Sequence, residues 1–159
     1  MLISAWLPVV LGLLVIFLES SNYFSSSNTG AFLSKILTGI FGHHLNPSRM
    51  EALNFFLRKC GHFLGYGVLG LLFFRAIRNT FSLCRTAKAK TSRPSLQRWA
   101  LAAILCTAMV AAADEWHQSF LASRTGAFHD VVLDTTGAAV LLILVLIRYA
   151  AKRRITEPK

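Results

Sequence analysis

One stretch of this chain concentrates groups that can do chemistry. Asp114, Glu115, His117 and Gln118 are followed by Arg124, His129, Asp130 and Asp134. They sit at the facing ends of two very apolar segments. Carboxylates and imidazoles together can move protons, and a guanidinium can pair with a carboxylate or hold a phosphate. A carboxylate at bilayer depth costs roughly 2.5–3.5 kcal/mol on insertion scales. Packing gives no reason to carry several there, so a polar site inside a membrane protein is expected. The plainer alternative is a short hydrophilic loop between two helices, and depth and spacing argue against it.

A second group lies earlier. Lys59, His62 and Tyr66 recur at i, i+3 and i+7 and so share one helix face. Asp114, His117 and Gln118 share another, with Glu115 at its edge and Trp116 opposite. Asp130 and Asp134 are four apart and stack on a third. Asp114 lies fifteen residues after Trp99 and Asp134 fifteen before Tyr149, each about 22 Å along its helix. His62 precedes Arg75 by thirteen, about 20 Å. The hydrocarbon core is about 30 Å thick. Three separate helices therefore bring polar groups to one level, somewhat below one face of a membrane.

The elements that hold them are apolar. The chain has 159 residues, 54% of them hydrophobic and only 15% charged, with a mean hydropathy of +0.52. This composition predicts a single-domain, all-α polytopic membrane protein. Four transmembrane helices are expected at about 2–19, 57–77, 99–121 and 127–149, with a short interfacial or re-entrant helix within Ala31–Phe41. No Lys or Arg precedes Leu2–Leu18, so that segment reads as a spanning helix and not a signal peptide. Glu19 closes it, as an interfacial end residue or as part of the site. Asn22–Gly30 reads as loop. Asn46-Pro47 starts a helix, with Ser48 and Glu51 resembling a capping box. Gly61 and Gly65 form a small-xxx-small pair suited to close helix approach. Cys60, Cys84 and Cys106 read as free thiols.

The net charge of +10 does not point to nucleic acid. The basic residues cluster in a loop at 78–98 and a tail at 150–159, the pattern of segments retained on the cytoplasmic side. Both termini are then expected in the cytoplasm, with the turn between the last two helices outside a multi-pass plasma (inner) membrane.

Taken together, Lys59-x-x-His62-x-x-x-Tyr66, Asp114-Glu115-x-His117-Gln118-x-Phe120, Arg124-x-Gly126, Asp130 and Asp134-x-x-Gly137 resemble the VanZ family. The resemblance runs from about Lys59 to Gly137, interrupted by the basic loop. It implies a small helical membrane protein of the cell envelope, linked to reduced susceptibility to teicoplanin-type glycopeptide antibiotics. Two positions depart from the family pattern. Ala122-Ser123 stands where Pro-Gly is frequent, and Gly65 where a carboxylate is frequent.

Three functions fit these residues. In the first, the site acts on an envelope lipid. Arg124 and Lys59 would hold a phosphate or pyrophosphate headgroup, with Tyr66, Gln118 and Asp134 also lining the substrate. Asp114, Glu115 or Asp130 would be base or nucleophile, and His62 or His117 the acid–base partner. A metal variant, with His and carboxylates holding a divalent ion, ranks below the metal-free one, since the spacing matches no zinc motif and HxxE and HExxH are absent, and the residues single out no cofactor. In the second, the polar residues are a lipid-binding or scaffold network that fixes helix register. In the third, they relay protons in a transporter or flippase element, although no inverted repeat is visible. Membrane lipids are the expected partners in all three, with a lipid-linked or phosphate-bearing substrate in the first and no nucleic acid in any.

Overall fold

The computed structural model describes residues 2–21, 25–42, 46–85, 96–121 and 127–156. Within them the chain forms five helices: α1 (Leu2–Glu19), α2 (Ser26–Phe41), α3 (Pro47–Arg85), α4 (Leu96–Gln118) and α5 (Phe128–Thr156). Four of these, all but α2, are long and apolar enough to cross a membrane.

The inner face of each spanning helix follows from its period. On α1, Ala5, Val9, Ile16 and the adjoining Ser20 are buried, and Gly12 lies against Leu69 and Leu72. These positions recur every three or four residues and form one stripe. Leu7, Val10, Leu11, Leu14, Val15 and Leu18 stay exposed. A helix apolar all round, with one face packed, belongs in lipid. On α4 the buried stripe is Ala100, Ala103, Thr107, Ala111, Glu115 and Gln118. A straight helix that buries its alanines on one side must bury Glu115 and Gln118 on the same side.

α3 is the central element and packs against all four other helices. At 39 residues it is about 58 Å long, nearly twice the hydrocarbon core. The spanning helix expected at 57–77 is thus extended at both ends. Nothing breaks the helix between Pro47 and Leu57, so the Asn46-Pro47 start runs straight into the apolar segment. Asn46 caps it, as its place before Pro47 leads one to expect, accepting the Ser48 backbone N–H at 3.2 Å. The loop expected at 78–98 is shortened likewise, because α3 continues to Arg85 and α4 begins at Leu96. α5 begins at Phe128 and carries the expected basic tail as helix to Thr156.

The short helix α2 also starts earlier than expected. Ser25 caps it, taking the Asn28 N–H at 3.4 Å, so Ser26–Gly30 is helix and not loop. Gly42, in the left-handed conformation at φ 66°, ends it, where a side chain would be strained. Asn54 Nδ2 donates to the Ser26 carbonyl at 2.9 Å and fastens α2 to the extended base of α3.

The close helix contact also differs from expectation. A Cβ on Gly61 or Gly65 would meet open space. The tight seam is between α3 and α5, lower down. A Cβ on Gly137 would fall 2.2 Å from the Phe63 carbonyl oxygen, and one on Gly67 or Gly70 would strike Leu141 at 2.7 Å or Ala138 at 2.8 Å. Motif spacing alone marks a possible face; which glycine faces a neighbour depends on azimuth, and Gly67 and Gly70 point at α5. Cys60 and Cys106 are free thiols, and the Cys84 side chain lies outside the description.

Candidate functional site

α3 and α5 run parallel, and polar groups meet between them as rungs. Lys59 Nζ pairs with Asp130 Oδ1. One turn further, His62 Nδ1 lies 3.5 Å from Asp134 Oδ2. Another turn down, α4 supplies the partner: the Tyr66 hydroxyl donates to Asp114 Oδ2 at 2.9 Å. Gln118 Nε2 donates to the same Asp114 oxygen at 2.8 Å and reaches Ser20 Oγ at 3.4 Å. The network therefore ties α1, α3, α4 and α5 together. His62 and Tyr66 stack along it, ring centroids 6.1 Å apart. From Lys59 to Tyr66 the rungs descend about 10 Å.

Burial deepens along the ladder. Lys59 and Asp130 keep 31% and 24% of their side-chain surface, while Asp134 is 2% and Tyr66 1% exposed. The Gly137–Phe63 contact lies directly below the His62–Asp134 rung. It draws the two backbones together and holds those side chains opposite one another.

Glu115 has a different task. It is 8% exposed, and its Oε1 accepts the Ala127 backbone N–H at the start of α5. A helix leaves its first N–H groups unpaired, and its N-terminus favours negative charge. Glu115 satisfies both needs and joins the end of α4 to the beginning of α5.

Each expected residue can now be placed. Lys59, His62, Tyr66, Asp114, Gln118, Asp130 and Asp134 converge. Glu115 adjoins them as the cap of α5. His117 is not brought to the ladder. It sits about 60° around α4 from Asp114, turns toward α1 and stacks on Phe17 at 5.6 Å. Its Nδ1 is buried without a hydrogen-bond partner among the described residues. Trp116 is 69% exposed, on the outward face as its azimuth required. Arg124 and Gly126 lie outside the described residues. Lys59, expected to hold a phosphate, is instead engaged by Asp130. Glu19, the last residue of α1, is exposed. Ser20 was missed. It bears no charge, but its place at the end of the Ala5–Val9–Gly12–Ile16 stripe was a signal that it faces inward.

Two features set this network apart from a balanced one. Glu115 and Asp134 lie close enough to repel each other, and Asp114 and Asp130 repel both. Among the described residues of the ladder, only Lys59 and His62 oppose those four carboxylates. In addition, Asp134 Oδ1 is buried with no hydrogen-bond partner among the described residues. Buried acceptors are normally paired, so an unpaired one inside an acidic cluster is a place for a donor group from elsewhere. Among the described residues no group of three His, Cys, Asp or Glu converges in a way that could hold a metal ion.

The family model described as VanZ/LLP1 matches residues 5–149. No curated protein and no solved structure matches the chain.

Proposed function

Because this membrane protein of four apolar spanning helices belongs to the VanZ/LLP1 family, we propose that its polar ladder binds, or acts on, the headgroup of a cell-envelope lipid. The observation that carries this reading is the surplus of acid. Even with Arg124 counted alongside Lys59 and His62, the four carboxylates outnumber the basic groups. Repulsive, incompletely paired settings are a cost that functional sites bear and pure scaffolds have no reason to bear. The surplus favours a headgroup that offers hydroxyl or amine donors to Asp114 and Asp134. Arg124 would take a phosphate on the same lipid, since Lys59 is already engaged by Asp130. A role in glycopeptide susceptibility belongs to the same proposal, as a consequence of altering or masking an envelope lipid.

The test is lipid retention. Wild-type protein extracted in mild detergent should keep an envelope lipid in excess over bulk phospholipid, and His62→Gln should lose most of it while remaining folded. Wild-type protein that retains only bulk phospholipid would sink the proposal.

One observation supports a second reading. Lys59–Asp130, Tyr66–Asp114–Gln118 and Glu115–Ala127 are satisfied internally, as a scaffold that fixes register would require. On that reading His62→Gln would cost stability and expression together.

The proposed orientation places both termini and the basic 86–95 segment in the cytoplasm and the ladder in the outer leaflet. Single cysteines at Ser95 and Ser123 should label from opposite sides, Ser123 from outside. Labelling of Ser123 from the inside only would invert the topology and move the ladder to the inner leaflet.

A further inference from the structure

The other end of the α3–α5 pair carries a second arrangement, remote from the ladder. Arg78 Nη1 donates to the Tyr149 hydroxyl at 2.8 Å, and the guanidinium lies 5.7 Å from the Tyr149 ring centroid. One face of α3 adds Arg75, and one face of α5 adds Lys152, at i−3 and i+3 from this pair. Not one acidic residue occurs between Glu51 and Asp114, or between Asp134 and Glu157. Arg75 and Arg78 therefore have no carboxylate within twenty residues along α3.

Aromatic residues fix the level independently. Trp6 Nε1 donates to Thr80 Oγ1 at 2.9 Å, and Trp99 packs on Phe81 at 4.6 Å between centroids. Trp and Tyr collect where hydrocarbon meets headgroups. Trp6, Trp99 and Tyr149 thus mark that boundary on three helices, and Arg78 sits in it. A guanidinium has five N–H donors in a planar fork. Tyr149 engages one of them and turns the fork, whose remaining donors suit two oxygens of a phosphate.

We propose that Arg78, oriented by Tyr149 and flanked by Arg75 and Lys152, is a binding site for the phosphate of an anionic phospholipid on the leaflet opposite the acidic ladder. The occupant is a lipid and not a soluble anion because the aromatic level puts the fork among headgroups, and Leu144 and Ile147, exposed on α5 within two turns of Tyr149, offer apolar surface to acyl chains. Net negative charge on the lipid is favoured because the charged side chains of the described residues at this end, Arg75, Arg78, Arg148 and Lys152, are basic. The site stands whether or not the ladder has the function proposed above.

Native mass spectrometry of the full chain in neutral detergent tests this, with phosphatidylglycerol and phosphatidylcholine as competing probes. Both carry a phosphate, and only the first is anionic. Wild type should bind phosphatidylglycerol about tenfold more tightly. Arg78→Lys keeps the charge but loses the fork, and it should lose most of that preference. Equal binding of the two lipids overturns the proposal. So does an undiminished preference in Arg78→Lys, which would mean diffuse attraction and no site. Tyr149→Phe removes only the orienting hydroxyl and carries the test if Arg78→Lys does not fold. It should weaken phosphatidylglycerol binding roughly two- to threefold, and unchanged affinity overturns the oriented fork.

Discussion

Gly137→Ala is expected to destroy the bundle, while Gly61→Ala and Gly65→Ala leave it intact. The added methyl at 137 would lie 2.2 Å from the Phe63 carbonyl oxygen and 3.2 Å from the Phe63 Cα. Both are backbone atoms, so no side chain can rotate away. α3 and α5 must separate, and the His62–Asp134 rung immediately above must open. Overpacking costs typically about 1–3 kcal/mol, and a clash with rigid backbone belongs at or beyond the upper end of that range. Loss of folded protein, or a melting temperature far below wild type in detergent, is the expected result. At Gly61 and Gly65 nothing lies within 4 Å of the new methyl, and Ala is the better helix former. If Gly137→Ala melts like wild type, the seam described here is wrong.

Asp134→Asn is the sharpest discriminator between a working site and a scaffold. Asp134 is almost wholly buried, its Oδ1 has no hydrogen-bond partner among the described residues, and Asp114, Glu115 and Asp130 repel it. Its favourable contact is the 3.5 Å approach of His62 Nδ1, longer than a good charged hydrogen bond. Neutralising it removes a buried charge from a repulsive cluster. Stability should therefore hold or rise by about 1 kcal/mol, while lipid retention and any effect on glycopeptide susceptibility are lost. A scaffold predicts the reverse. Breaking a stabilising buried pair costs roughly 3–5 kcal/mol, and folded protein would fall with it. Melting and lipid retention measured on the same preparation separate the two. A variant that is stable and still retains lipid would show that this carboxylate has no part in binding. Asp130 does not serve the same purpose, because Asp130→Asn strands Lys59.

Much of this arrangement was legible in the residues. Lys59, His62 and Tyr66 had to share a face, and equal helical rise put them level with Asp114 and Asp134. The partners across the gap were not legible. Azimuth within a helix follows from spacing, but rotation of one helix against another is set by packing. That rotation sends His117 to Phe17 and not to the ladder, and it chooses Gly67, Gly70 and Gly137 over Gly61 and Gly65 for the seam. The capping role of Glu115 was hidden for a related reason. Read along the chain, it is one more carboxylate in a polar run. Only the return of α5 brings an unpaired N–H to it. Helix ends were misjudged where hydropathy was used in place of capping. The helix start at Asn46-Pro47 was legible, but the polar turns after Ile77 looked like loop, though nothing in them before Arg85 stops a helix.

The α3–α5 pair also acts as a gauge. Lys59 meets Asp130 at one end and Arg78 meets Tyr149 at the other. Nineteen residues separate the two contacts on each helix, about 28 Å of rise. With the glycine seam between them, neither helix can slide past the other to lengthen or shorten the pair. In a bilayer whose hydrocarbon is several ångströms thicker or thinner, the protein has only tilt, or local deformation of the lipid, with which to compensate. Both fall on the surrounding membrane, at fractions of a kcal/mol per ångström of mismatch. The acyl-chain length in which this protein is most stable is thus set by the distance between two hydrogen-bonded pairs.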